Sequence, residues 1–340
     1  MRLSLMSALA AALLALSPAG GRAQTAADFY RGRSIDLYIG YSAGGGYDVY
    51  ARALARHMGR FIPGSPAIVP KNMPGAGSLV LANWLYNVAP RDGSAFGTIA
   101  RGVAFDPLFG STRAQFDAAK FAWIGSMNEE VSVCAAWHTT GVTRLEDVMQ
   151  REFTVGGSGP AADTDVFPKV LNGTIGTRFK IITGYPGGND IDLAMERGEV
   201  MGRCGWSWSS VVATHKSWLD ESKISILVQL SLRTHPDLPN VPLVMSFART
   251  DEQKQIFRLT FARQPMGRPF LAPPGIPPDR LSALRDAFMT TMTYPTFMAE
   301  AGKMQLEINP VAGGAVQEIV REVYQTPQAV VRQVADMVNH

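Results

Sequence analysis

The chain has 340 residues, 46% of them apolar and 18% charged, and a formal net charge of +3. So high an apolar share excludes a disordered protein and so low a charge excludes a coiled coil, while the length suits two lobes, each with its own core. Lysines and arginines are scattered rather than clustered, so no nucleic-acid-binding stripe is indicated.

Met1-Arg2, the apolar run Leu3 to Leu16, the break at Pro18-Ala19-Gly20-Gly21 and the small residues of Gly21-Arg22-Ala23 have the layout of a secretory signal peptide. The run falls short of the ~18 continuous apolar residues of a membrane span. Cleavage is expected after Ala23, giving an exported protein that is nearly neutral once Arg2 and Arg22 are lost.

From there short strand-like runs alternate with helical patterns. Ser34 to Gly40 reads as a strand, Ser42 to Asp48 as a glycine loop, and Val49 to Phe61 as a helix with Val49, Leu54, Met58 and Phe61 on one face. Ala67 to Pro70 is the next strand, followed by the loop Pro74 to Ser78, the helix Leu79 to Tyr86, a turn at Pro90-Arg91-Asp92-Gly93 and the strand Ala95 to Ala100. This order predicts an α/β lobe with a largely parallel sheet.

The unit recurs. Phe121 to Gly125, Val131 to Trp137, Phe153 to Gly156, Phe179 to Ile182, Val200 to Cys204 and Ile224 to Leu230 read as strands. The loops Gly157 to Thr164 and Tyr185 to Asp190 precede helices, and His235 to Pro239 suits a return crossing between lobes. A late strand, Gly267 to Leu271, leads into helices from Asp279 onward. The expected division is residues 1–23 as signal peptide, 24–122 with 232–300 as the first lobe, 123–231 as the second, and 301–340 as a helical tail packing on both.

In open α/β sheets ligands lie beyond the carboxyl ends of strands, where loops meet helix N-termini. Glycine there lets backbone N–H groups approach a ligand, and the following helix offers unpaired donors and partial positive charge, which favours an anion. A single glycine loop is more simply a turn, but four at equivalent junctions, two per half, point to a shared anion site.

Other chemistries lack their patterns. No lysine follows these glycines as a P-loop requires, and Gly44-Gly45-Gly46 neither continues as a dinucleotide fingerprint nor meets an acidic strand end. Gly156 to Pro160 and Gly205 to Ser209 resemble a nucleophile elbow without its final glycine. An exported serine hydrolase would use Ser158 or Ser207 with His138 or His215. No metal-ligand spacing occurs, and no cofactor is implied. Cys134 and Cys204 are either a disulfide or two buried thiols. Trp206 and Trp208 alternate after Cys204, which admits either core packing or a place along a cleft.

Several of these segments resemble the periplasmic substrate-binding proteins of tripartite tricarboxylate transporters, the Bug family. Gly44-Gly45-Gly46-Tyr47-Asp48 resembles the family's Pro-Gly-Gly-Gly-Thr-Asp loop, and Asn72 to Ser78 its Asn-x-Pro-Gly-Ala-Gly-Gly loop. Ala89 to Gly93 resembles its Pro-Asp-Gly segment, Thr154 to Gly159 its second-lobe loop, and Ala272 to Pro277 its Ala-Pro-x-Gly-Thr-Pro. Tyr41, Ala43, Tyr47 and Gly205-Trp206 depart from the family pattern.

The resemblance implies an α/β, two-lobe Venus-flytrap fold of type II that closes on a small carboxylated solute. It also implies that backbone amides, hydroxyls and waters hold the solute, without an arginine clamp. The expected ligand-binding residues are Tyr41, Ser42, Gly44, Gly45, Gly46, Tyr47, Asp48, Gly75, Ala76, Gly77 and Ser78 from one lobe. The other lobe contributes Ser158, Gly159, Pro160, Ala161, Asp163, Thr164, Tyr185, Gly187, Gly188, Asp190 and Trp206. Trp206, Tyr41 and Tyr47 would favour a larger or aromatic acid. The expected partners are an organic-acid ligand and membrane permease subunits, with no nucleic acid and a monomeric receptor. The alternatives are the hydrolase and a receptor presenting its ligand to a membrane sensor.

Overall fold

Residues 25–339 are described by the structure, a computed structural model. The expected signal peptide and cleavage site lie outside the described residues.

Among the described residues eleven strands form two sheets, one per lobe. In chain order they are β1 (Ser34–Ile39), β2 (Ala67–Asn72), β3 (Ala95–Thr98), β4 (Ala122–Ser126), β5 (Ser132–Trp137), β6 (Phe153–Gly157), β7 (Phe179–Thr183), β8 (Gly202–Ser207), β9 (Ile224–Leu230), β10 (Pro269–Ala272) and β11 (Val311–Ala312). The first sheet has the order β11-β4-β10-β3-β1-β2 and the second β7-β6-β8-β5-β9. The α/β two-lobe fold is as expected.

Both sheets are mixed rather than largely parallel. β1 pairs in parallel with β2 and β3, as β6 does with β7 and β8, because helices connect them. β10 runs antiparallel to β3 and β4, and β5 antiparallel to β8 and β9, where the chain re-enters a sheet from the other lobe.

The first crossing falls later than residue 122. β4 belongs to the first sheet, where Trp123 is opposite Leu271, so the chain leaves that lobe after Ser126. The return is not at His235–Pro239 either. Gln229 is fully buried; its backbone N–H donates to Pro242 O (2.8 Å) and its side chain to Leu238 O (2.9 Å), which keeps that loop on the second sheet. The helix Asp251–Phe261 also packs there, with Phe261 edge-on to Phe167 at 5.0 Å. The chain returns through residues 262–268. This segment pairs with the outgoing one through Met127 N to Arg268 O (3.1 Å), Gly267 N to Asn128 O (3.0 Å) and Glu130 N to Gln264 O (2.9 Å). The two crossings therefore form one hydrogen-bonded ribbon.

The C-terminal helices divide between the lobes. Gly313–Val323 packs on β4, and Gln328–Asn339 packs on the helices Asp163–Ile175 and Asp251–Phe261. In the first lobe Tyr50, Leu54 and Met58 of the helix Gly46–Met58 meet Ile35, Leu37 and Ile39 of β1 in one apolar cluster. Cys134 and Cys204, on adjacent strands, form a disulfide that spans 70 residues of chain. No helix among the described residues is long and apolar enough to cross a membrane.

Candidate functional site

The ends of four helices meet between the lobes. Gly46–Met58 starts from the first lobe; Asp163–Ile175, Gly188–Glu196 and Trp208–Asp220 start from the second. Their first turns border one cleft cavity of about 40 Å³, enough for a few water molecules. Helix starts present unpaired N–H donors and positive dipole ends, so the position suits an anion.

The lobes touch around this cavity. Ser42 Oγ donates to Asp190 Oδ2 (2.7 Å), Ser42 N to Pro186 O (3.3 Å) and Gly77 N to Ser158 O (2.9 Å). Gly159 is needed for this approach: at φ +133° a Cβ there would stand 2.4 Å from Gly77 N. The four glycine loops face one another, and the arrangement is that of closed lobes.

Of the expected ligand residues, Tyr41, Gly45, Gly46, Tyr47, Ser158, Asp163, Thr164 and Gly188 line the cavity. Tyr41 and Tyr47 stack at 4.9 Å, and burial raises both phenols, which keeps them neutral. Ser158 N donates to Thr164 Oγ1 (3.0 Å).

The remaining residues serve elsewhere. Ser42, Gly187 and Asp190 make the interlobe contact at the rim, as do Ala76, Gly77 and Gly159. Gly75 leads into the turn before the helix Leu79–Asn87, and Ser78 Oγ accepts from Ala100 N (2.6 Å) within the first lobe. Gly44 N donates to Asp48 Oδ2 (2.9 Å), and Asp48 also accepts from Arg52 and Asn72. Burial alone would raise the Asp48 carboxyl; those donors outweigh it and hold the group below its usual range. Asp48 thus braces its own loop. Ala161 is buried, Pro160 borders a separate surface cavity with Asp106 and Lys169, and Tyr185 packs against an apolar cluster.

Trp206 is the clearest correction. It is fully buried with Val133, Val211 and Trp218, and it does not line the cavity. Gly205 at φ +78° and a register shift at Val133/Cys134 break the strand alternation, which turns the indole away from the cleft.

Sequence reasoning missed Ala100, Arg101, Arg203, Gly205 and Ser210 in the lining, and it weighed Ser207 only as a nucleophile. Two guanidiniums, Arg101 from the first lobe and Arg203 from the second, therefore border a cleft expected to hold none. Arg203 pairs with Asp192 (2.9 Å), whose carboxyl burial pushes up to about 6 despite Arg203. Arg101 is treated below.

The hydrolase constellation is not assembled among the described residues. Ser158 Oγ meets Thr164 Oγ1, and Ser207 Oγ accepts from Arg101 and Arg268. His138 is exposed beside Trp137, and His215 packs on Trp206 and Trp218, where burial lowers it to about 4.

Two α/β lobes, a two-stranded crossing and facing helix starts define the fold of a periplasmic solute receptor of the Venus-flytrap kind. Solved structures agree. The chain is similar to the periplasmic binding protein BugD at a TM-score of 0.72 and 18% identity, covering 91% of this chain and 98% of that one. It is similar to MatC from Rhodopseudomonas palustris with bound malate at a TM-score of 0.71 and 17% identity, covering 88% and 99%. No family model matches. A Cupriavidus necator protein described as "UPF0065 protein in gbd 5'region" is 27% identical over 316 residues, covering 88% of this chain and 86% of the relative. The resemblance to Bug-type receptors read from the loops is thus borne out in the fold along nearly the whole described chain.

Proposed function

We propose that the protein is a periplasmic solute receptor. It captures a small carboxylated solute between its lobes and delivers it to the membrane permease subunits of a tripartite tricarboxylate-type transporter. The observation that carries this reading is the convergence of four helix starts from both lobes on one hydroxyl-lined cavity bordered by Arg101. Donors fixed at helix starts replace a carboxylate's hydration shell, and closure brings the second lobe's donors over a solute held by the first. Affinity then depends on populating the closed state. The MatC likeness, with its malate, supports an organic acid.

With Trp206 in the core, only Tyr41 and Tyr47 remain as aromatic walls, so a compact aliphatic acid suits the cavity better than an aromatic one. A thermal-shift screen with acetate, malonate, succinate, malate, adipate and benzoate, followed by calorimetry on the hits, tests the reading. Stabilisation by a small aliphatic acid is expected. Silence across the panel would overturn acid capture, and stabilisation by benzoate alone would overturn the compact-acid preference.

A further inference from the structure

We infer that Arg101 is the residue that takes the solute's carboxylate, and that Asp163 competes with the solute for the same guanidinium. This inference rests on the receptor reading above.

Arg101 is 1% exposed and reaches the cavity from the end of the β3 unit. Its guanidinium is held by the second lobe and by the crossing ribbon. Nη2 donates to Ser132 Oγ (2.7 Å), Nη1 donates to Gly267 O (3.2 Å), and both reach Ser207 Oγ (3.3 Å). Across the cleft, Asp163 Oδ2 sits 2.6 Å from Nη2. Arg101 Nε has no acceptor among the described residues, although it is buried. A buried guanidinium with a free donor at a cavity wall is a place for an anionic oxygen.

The charge balance points the same way. Arg268 is matched by Glu130 (3.2 Å) and Arg203 by Asp192 (2.9 Å). Arg101 and Arg263, by contrast, share one carboxylate, with Asp163 Oδ1 3.3 Å from Arg263 Nη1. Arg263 spreads part of its charge over Phe105 and Phe167, 5.0 and 5.5 Å from their ring centres. The other carboxyl near Arg263 is Asp106, which burial raises to about 7, so it offsets the surplus only in part. Arg101 therefore has no carboxylate of its own, and a carboxylate entering beside it supplies one.

The test compares the wild-type receptor with Arg101→Met, Arg101→Lys and Asp163→Asn. Each is titrated with the six acids above and with their amides, after circular dichroism has checked the fold. The wild type is expected to bind at least one acid and not its amide. Arg101→Met should weaken that acid by about 30-fold or more, the usual loss for one partner of a buried hydrogen-bonded charge pair, and Arg101→Lys should recover part of it. Asp163→Asn should melt lower without acid yet bind the acid more tightly, because the competitor is gone. In ¹⁵N spectra the Arg101 Nε–H resonance, assigned by its loss in Arg101→Lys, should shift on titration. This readout needs no folded Arg101→Met protein.

Wild-type affinity in Arg101→Met, an unmoved Nε–H resonance at saturation, or weaker binding by Asp163→Asn would overturn the inference while leaving the receptor reading intact. A wild type that binds none of the acids overturns the receptor reading, and the inference with it.

Discussion

Gly46 offers a way to disturb lobe closure without disturbing either lobe. It opens the helix Gly46–Met58 with Gly45 as its cap, and its backbone conformation is one that alanine adopts. An ideal Cβ there falls 1.9 Å from Ser210 Oγ and 2.9 Å from Ser210 Cβ, both across the cleft, and its nearest other contact is Arg268 Nη2 at 3.3 Å. Ser210 cannot simply swing aside, because its hydroxyl accepts from Arg268 Nη2 at 2.7 Å. Gly46→Ala should therefore leave the fold as stable as before, or firmer by up to about 1 kcal/mol from the helix itself. Only the closed state carries the overlap, at a cost of about 1–3 kcal/mol, the range for adding a methylene to a packed interior. Affinity should fall by about 5- to 150-fold. Calorimetry with the acid found by screening measures the affinity, and urea unfolding measures the stability. Adding Ser210→Gly to Gly46→Ala removes the overlap and should restore binding. Unchanged affinity in the single variant would refute the closed contact as part of the bound state. Failure of the double variant to recover would show that the methyl obstructs the solute itself.

Three further outcomes follow from the buried groups. Glu130→Ala strands Arg268, which is 1% exposed in the crossing ribbon, and should cost about 3–5 kcal/mol in urea unfolding; a loss below 1 kcal/mol would contradict the pairing. Reducing Cys134–Cys204, which spans 70 residues, should cost about 4 kcal/mol on the chain-entropy account, and free thiols in the native protein would contradict the bond. Asp106 is raised to about 7, mainly by burial, so folding favours its neutral form. Its contribution is greatest in acid and declines as pH rises from about 4 through about 7, at most about 1.4 kcal/mol per pH unit. Asp106→Asn should therefore gain on the wild type between pH 5 and pH 7, and an equal stability difference at both pH values would contradict the assignment.

The parts legible in the sequence are local. Glycine beside a helix start is written within a few residues, so the loops at Gly44–Gly46, Gly157–Gly159 and Gly187–Gly188 could be read directly, and so could the strand–loop–helix order that builds each lobe. What escaped depends on contacts distant in the chain. Arg101 becomes a cleft residue only because Ser132, Gly267, Ser207 and Asp163 gather around it. The fourth helix start, at Trp208, was hidden because its loop carries serines and tryptophans rather than a glycine run. Trp206 misled because period-two alternation assumes a regular strand, and Gly205 interrupts β8. The lobe boundaries moved for a similar reason. Gln229, an ordinary polar residue in sequence, is the buried anchor that keeps the His235 loop on the second sheet.

Whether both lobes grip one guest is seen most directly in a crystal structure grown with an acid already shown to bind. A carboxylate bounded by Tyr41 and Arg101 on one side and by Ser158 and Thr164 on the other is the expected result. Well-defined density for the acid outside this cavity, with only water between the lobes, would contradict the account.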